Sequence, residues 1–166
     1  MQKVIVVDPA KCYACLSCVV ECAYSKASTT EPISFRILSQ SRIEVEPVDE
    51  YAVPVVCRHC EDAPCMLVCP TSAIHREDQD SPVVVDDELC IGCKACILAC
   101  PFGMIRLNFE GKIAQKCNLC IDIDGGPICV RSCPPGALQF KSLEEVRAEA
   151  LNKAARETVE SHESAA

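Results

Sequence analysis

Short apolar runs broken by polar turns, rather than long amphipathic stretches, set the pattern of this chain. Val4 to Val7, Val53 to Val56 and Val83 to Val85 are β-branched segments that predict strands, and Lys112 to Ala114 is a weaker one. Each stands just ahead of a cysteine-rich segment. Three such segments end in Cys-Pro and a short apolar step into a further strand: Cys69-Pro-Thr-Ser-Ala-Ile74, Cys100-Pro-Phe-Gly-Met-Ile105 and Cys133-Pro-Pro-Gly-Ala-Leu138. Glu110-Gly111 supplies a turn between Ile105 to Phe109 and Lys112 to Ala114, a hairpin signature. The polar stretch His75 to Pro82 joins Ala73-Ile74 to Val83. Only one segment has helical periodicity over several turns. From Leu143 to about Val159, Ser142 and Glu145 form a capping box, Glu149 and Lys153 an i,i+4 pair, and Leu143, Val146, Ala150, Leu151 and Ala154 a narrow apolar stripe. This helix is expected to lie on its own domain or fray, with partner binding the lesser reading. Glu160 to Ala166 reads as disordered.

Composition changes the picture. The 166 residues suffice for one domain or two very small ones sharing a core, yet there is no Trp and only four Phe and three Tyr to fill it. Sixteen cysteines are the dominant feature. The N-terminus offers four consecutive apolar residues and then Asp8-Pro9, unlike a secretory signal, and no run approaches a membrane span. A cytoplasmic, reducing setting follows, in which cysteines serve as ligands rather than disulfides. Inorganic groups bound by them would occupy the missing core volume and couple folding to their insertion. A formal charge of -8 argues against nucleic acid as a partner.

The cysteines form an internal repeat of four groups: Cys12, Cys15, Cys18, Cys22; Cys57, Cys60, Cys65, Cys69; Cys90, Cys93, Cys96, Cys100; and Cys117, Cys120, Cys129, Cys133. Every group begins C-x-x-C and ends C-x-x-x-C. The middle gap is two residues in the first and third groups, four in the second and eight in the fourth. The third group, with Pro101, is the bacterial ferredoxin run, in which three thiolates serve one 4Fe-4S cluster and the fourth reaches a neighbouring one. A second cluster is therefore predicted. Zinc is the competing reading, but structural zinc sites draw on two separated knuckles, unlike the third group. In the fourth group zinc stays open.

With Cys57-Arg-His-Cys60-Glu-Asp-Ala-Pro-Cys65, Lys116-Cys117-Asn-Leu-Cys120 and the three Cys-Pro endings, the chain resembles a known family over roughly residues 3 to 140. These are the four-cluster, ferredoxin-like electron-transfer subunits of dimethyl-sulfoxide-reductase-type enzymes. The same module resembles the partners of formate dehydrogenases, formate hydrogenlyases, carbon monoxide dehydrogenases and tungsten aldehyde oxidoreductases, of which the soluble carbon monoxide dehydrogenase and aldehyde oxidoreductase partners look most similar. The resemblance implies an α+β fold of two interleaved bacterial-ferredoxin-like bicluster units, with short β-hairpins, one-turn helices and the C-terminal helix. Residues 1–56 and 108–140 would make the outer unit, 57–107 the inner one, and 141–166 the helix and tail. It further implies four 4Fe-4S clusters. Cys57, Cys60 and Cys65 would share one with Cys100, and Cys90, Cys93 and Cys96 one with Cys69. Cys12, Cys15 and Cys18 would join Cys133, and Cys117, Cys120 and Cys129 would join Cys22.

The implied role is single-electron relay in anaerobic metabolism, without an active site of its own, between a tungsten, molybdenum or nickel oxidoreductase subunit and a soluble redox carrier. Stacking with further copies of the chain is a related possibility. A free diffusible polyferredoxin and a structural zinc protein are the alternatives. The acidic balance disfavours adding an electron, so low potentials are expected. The first group departs from the pattern, with Tyr13-Ala14 where the third has Gly92, and Ala23 where the others have proline. Residues 23 to 56 form an insert with a strand expected at Arg42 to Glu46; it reads equally as a docking surface or as a packing loop over the first cluster. No catalytic constellation or nucleotide fingerprint is present, and Gly125-Gly126-Pro127 reads as a turn. His59 is expected to pack or hydrogen-bond rather than ligate, and His75 and His162 to be solvated. Arg58, Lys94, Lys116 and Arg131 adjoin candidate ligands, where a cation raises potentials or guides docking, but each reads first as an ordinary surface charge.

Overall fold

The computed structural model describes residues 3–27 and 34–163. Its strands are short and paired in twos, all antiparallel. β1 (Lys3–Val7) pairs with β8 (Leu138–Ser142), with Lys3 opposite Ser142 and Val7 opposite Leu138. β2 (Ile43–Val48) and β3 (Tyr51–Val56) form a hairpin, as do β4 (Ile74–His75) with β5 (Val84–Val85) and β6 (Arg106–Leu107) with β7 (Ala114–Gln115). The β6–β7 turn is held by Asn108, whose side chain accepts from the Lys112 and Ile113 N–H groups. The strand expected at Arg42 to Glu46 begins at Ile43 and runs on to Val48.

Prolines decide the helix lengths. α3 (Pro64–Leu67), α4 (Ala95–Ala99) and α5 (Ile128–Arg131) are single turns, each ending before a Cys-Pro step. A residue that precedes proline is pushed out of the helical region, so the turn cannot continue. The first group has Ala23 instead, and α1 (Ser17–Lys26) runs for ten residues with Cys18, Cys22 and Ala23 on its buried face. Of the insert, α2 (Phe35–Leu38) and the β2–β3 hairpin are described; Ile37 and Ile43 are buried, so this part packs against the body.

The core is assembled largely from cysteines and small aliphatics. One cluster joins Ala63, Cys65, Ile74, Val83, Cys96, Ile105 and Ala114. A second joins Cys18, Cys22, Ile43, Val56, Cys129 and Leu138. α6 (Leu143–Glu163) carries the expected capping box: the Ser142 N–H donates to Glu145 Oε2 at 2.7 Å and the Glu145 N–H to Ser142 Oγ at 3.2 Å. It continues past Val159, so Glu160 to Glu163 are helical where disorder was expected; residues 164–166 lie outside the described part. Glu149 does not pair with Lys153. It accepts from Lys141 on β8 at 2.6 Å, and Lys153 faces Glu157 instead. Leu143, Ala150, Leu151 and Ala154 are all exposed, so most of the apolar stripe faces solvent. Among the described residues no helix is long and apolar enough to cross a membrane.

Candidate metal centres

The loops between the cysteines share one backbone device. The residue before the second cysteine of each group, Ala14, His59, Gly92 or Leu119, has a left-handed φ of 58, 46, 65 or 55 degrees. The third residue after the last cysteine of each Cys-Pro ending, Ser72, Gly103 or Gly136, is left-handed as well, at 56, 65 and 66 degrees. Such residues turn successive N–H groups towards one concave side, the arrangement that receives anions. Only glycine adopts it without a cost of about 1–2 kcal/mol per residue, so Ala14, His59 and Leu119 hold these conformations against local preference.

The cysteine side chains gather across the groups rather than within them. Cys57, Cys60, Cys65 and Cys100 line one pocket, walled by Ala63, Val83 and Ile105. Cys69, Cys90, Cys93 and Cys96 line a second, walled by Ile74, Leu107 and Ala114. Cys18 has Cys133, Cys15 and Cys12 as neighbours; burial first, and then these thiols, push it up to about 11. Cys129 is raised by burial and by Cys117, Cys22 and Cys120, with Cys18 also within reach. Four sets of four result. We number them site 1 (Cys12, Cys15, Cys18, Cys133), site 2 (Cys22, Cys117, Cys120, Cys129), site 3 (Cys57, Cys60, Cys65, Cys100) and site 4 (Cys69, Cys90, Cys93, Cys96). The influence of Cys18 on Cys129 links sites 1 and 2, and that of Cys57 on Cys117 links sites 2 and 3. Cys65 and Cys96 share a core cluster, which links sites 3 and 4.

Backbone donors point at these sulfurs. The Arg42 N–H reaches Cys22 Sγ at 3.3 Å, Ala114 N–H reaches Cys90 Sγ at 3.4 Å and Leu119 N–H reaches Cys117 Sγ at 3.4 Å. Burial raises Cys22, Cys65, Cys96 and Cys129, so these thiols give up their protons only to a strong competing cation. At Cys69 the N–H of Ile74 and the hydroxyl of Thr71 outweigh burial, and the thiol is lowered. Ser17 lowers Cys15 by its side chain and N–H. All-thiolate sets with N–H donors and apolar walls fit 4Fe-4S clusters, whose irons each take one cysteine. Structural zinc needs four donors around one point. Among the described residues no group of three or more His, Cys, Asp or Glu side chains is arranged to hold one ion.

Exposure singles out the two ends. Of the sixteen cysteines only Cys15, in site 1, and Cys93, in site 4, are exposed. Exposed apolar residues accompany them: Tyr13 and Leu16 beside Cys15, and Ile91 beside Cys93.

Of the flanking residues, His59 and His162 meet expectation, whereas His75, Lys116 and Arg76 do not. His59 is buried as a hydrogen-bonded residue, its Nδ1 accepting from the Val83 N–H at 3.1 Å, and burial, with Lys116 and Arg76 nearby, lowers its pKa to about 3. His75 is half-buried with Nδ1 3.4 Å from the Ala73 carbonyl, not fully solvated, whereas His162 is exposed. Lys116 is no surface charge: it is 3% exposed. The strand period supplies the reason, because Lys116 falls on the same face as buried Ala114, two residues before it. Arg76, in a loop that sequence marked only as polar, donates to the carbonyls of His59 at 3.0 Å and Cys60 at 2.7 Å.

Residues 48–143 match the family described as 4Fe-4S dicluster domain. An "Iron-sulfur protein" of Rhodospirillum rubrum is 34% identical, over 96% of this chain and 92% of that one. The "Thiosulfate reductase electron transfer subunit PhsB" of Salmonella typhi is 39% identical, over 87% of this chain and 78% of that one. One of the chains of the anaerobic dimethyl sulfoxide reductase of Escherichia coli (strain K12) is 37% identical, over 85% of this chain and 74% of that one.

Proposed function

Because the chain belongs to the 4Fe-4S dicluster domain family, we propose that it is an iron-sulfur electron-transfer subunit holding four clusters, one in each four-cysteine site. The observation that carries this reading is the grouping of all sixteen cysteines into four neighbouring sets with an exposed member only at each end. Clusters bound there would each accept and release one electron. On this reading the residues of the chain hold the four sites in the order 1, 2, 3, 4, bury three of the four cysteines of site 2, and direct N–H groups at the sulfurs. On this reading the fold is two interleaved units, residues 57–107 set between 1–56 and 108–140, and the chain makes and breaks no bonds itself. Its partners are a catalytic oxidoreductase subunit at one end and a soluble redox carrier at the other. Of the partner classes, we favour an aldehyde oxidoreductase, carbon monoxide dehydrogenase or formate dehydrogenase type, because the fourth group is short, and a reducing cytoplasmic setting, because the cysteines are unbridged.

The test is metal and sulfide analysis of the protein isolated anaerobically with whatever remains bound. About sixteen iron and sixteen sulfide per chain are expected, four of each per site. Tungsten, molybdenum or nickel beside them identifies the catalytic partner; iron alone turns the reading to a diffusible polyferredoxin. Zinc in place of iron refutes electron transfer.

A further inference from the structure

Buried at the middle of the four-site row is a cation without a carboxylate. Lys116 lines the pocket of site 3 and directly precedes Cys117 of site 2. Its Nζ donates to the Val83 carbonyl and, at 3.0 Å, to the Cys117 carbonyl. Among the described residues no Asp or Glu lies within ion-pair distance of it. An ammonium held away from water by two neutral carbonyls carries a desolvation cost that these carbonyl dipoles offset only in part, so nearby negative charge is favoured. The sulfurs of sites 2 and 3 are the groups in reach.

The placement is built rather than incidental. Val83 is gripped twice, its carbonyl by Lys116 and its N–H by His59, which fixes the ammonium relative to the site 3 loop. Two surface lysines sit differently: Lys11 pairs with Asp8 at 3.0 Å, Lys112 with Glu110 at 3.4 Å, and both are at least half exposed. Water screens such charges, whereas Lys116 acts through a low-dielectric interior.

We propose that Lys116 is a shared counter-charge for the two central sites, making sites 2 and 3 easier to reduce than terminal sites 1 and 4. This rests on the cluster-bearing reading given above. Each reduction brings one electron from the donor, adds one negative charge at a site, and moves no proton and breaks no bond. The ammonium favours that added charge at both neighbours together. The central pair is then a shallow well, and electrons entering at either exposed end settle there before leaving. It also sets a limit on the uniformly low potentials expected from the acidic sequence.

The experiment is an anaerobic potentiometric titration of the full, iron-loaded chain, reduced with dithionite and followed by electron paramagnetic resonance. Cys15→Ser and Cys93→Ser identify the signals of the terminal sites. In the unaltered protein the two remaining signals are expected to appear at the higher potentials. Lys116→Met, close in volume, and Lys116→Gln, which keeps a donor without the charge, are expected to weaken reduction of both central sites at least threefold. A tenfold change is 59 mV for one electron. Sites 1 and 4 stay put, and Lys116→Arg restores the central values. Equal shifts at all four sites, or none, overturn the proposal. If neither neutral variant retains iron, terminal sites that titrate above the central pair in the unaltered protein overturn it equally. Full iron with unmoved potentials refutes only the role of Lys116; absent iron in the unaltered protein refutes the cluster reading itself.

Discussion

Gly92 offers a stringent test of the site 4 loop. Its φ is +65 degrees, and a Cβ placed there would stand 2.2 Å from the Lys112 backbone oxygen. Ordinary contact begins at about 3.4 Å, so Gly92→Ala has to push the β6–β7 turn away. That turn leads directly into Ala114, whose N–H donates to Cys90 Sγ, so the displacement lands on a sulfur of the same site. The left-handed conformation costs about 1–2 kcal/mol and the overpacking about 1–3 kcal/mol. A total near 3 kcal/mol lowers the melting midpoint by about 6–12 °C in a chain of this size. Ala14 is the internal control, because it occupies the matching place in the first group at φ 58 degrees with an alanine already present. Ala14→Gly is expected to be close to neutral, relief of strain being offset by about 0.4–1 kcal/mol of added freedom in the unfolded chain. The assay is thermal bleaching of visible absorbance at one scan rate, with iron counted per chain. Gly92→Ala should lose about four iron, one cluster's worth, and melt early. A Gly92→Ala protein with full iron and an unchanged midpoint would refute the steric argument.

Ligand sharing across groups predicts that Cys65→Ala and Cys100→Ala abolish the same paramagnetic signal, and that Cys69→Ala and Cys96→Ala abolish a different one. Loss of one signal by Cys65→Ala together with Cys69→Ala would assign ligands within a group instead. Glu145, lowered by the N–H and then the hydroxyl of Ser142, stabilises α6 at pH values above the ordinary carboxylate range; that contribution disappears as pH falls through the depressed folded value. Hydrogen exchange of the first α6 turn should therefore quicken in Glu145→Gln at neutral pH and match the unaltered chain in acid; an equal difference at both pH values counts against it. Arg106 pairs with Glu44 across the insert and the β6 strand, both partners being about a third or more exposed. Arg106→Ala should cost no more than about 1 kcal/mol in denaturant unfolding, and less in high salt.

Much of this architecture is legible in local sequence because cysteine spacing and proline act over a few residues. The three Cys-Pro steps mark where one-turn helices stop and strands begin, and Ala23 in the corresponding place foreshadows the longer α1. Ser142 and Glu145 announce the start of α6. What local reading misses depends on partners far along the chain. Glu149 has Lys153 at helical spacing, yet Lys141, brought alongside by the return from β8, captures it. Arg76 lies in a charged loop with no sign of the carbonyls it serves at His59 and Cys60. Lys116 was readable only by extending the alternation of Ala114 beyond the strand, against the strong prior that lysine is exposed.

The pairing of β1 with β8 has a consequence for how the chain is made. β1, at Lys3–Val7, is synthesised more than a hundred residues ahead of its partner Leu138–Ser142. All the cysteines of sites 3 and 4 have been translated by Cys100, whereas site 1 waits for Cys133. At about 5–20 residues per second, that interval lasts roughly 2–7 s. During it the nascent polypeptide carries an unpaired strand edge, which invites association with other chains, and three reduced cysteines without their fourth. Iron delivery on the ribosome would fill sites 3 and 4 first, and site 1 would stay open to oxygen longest.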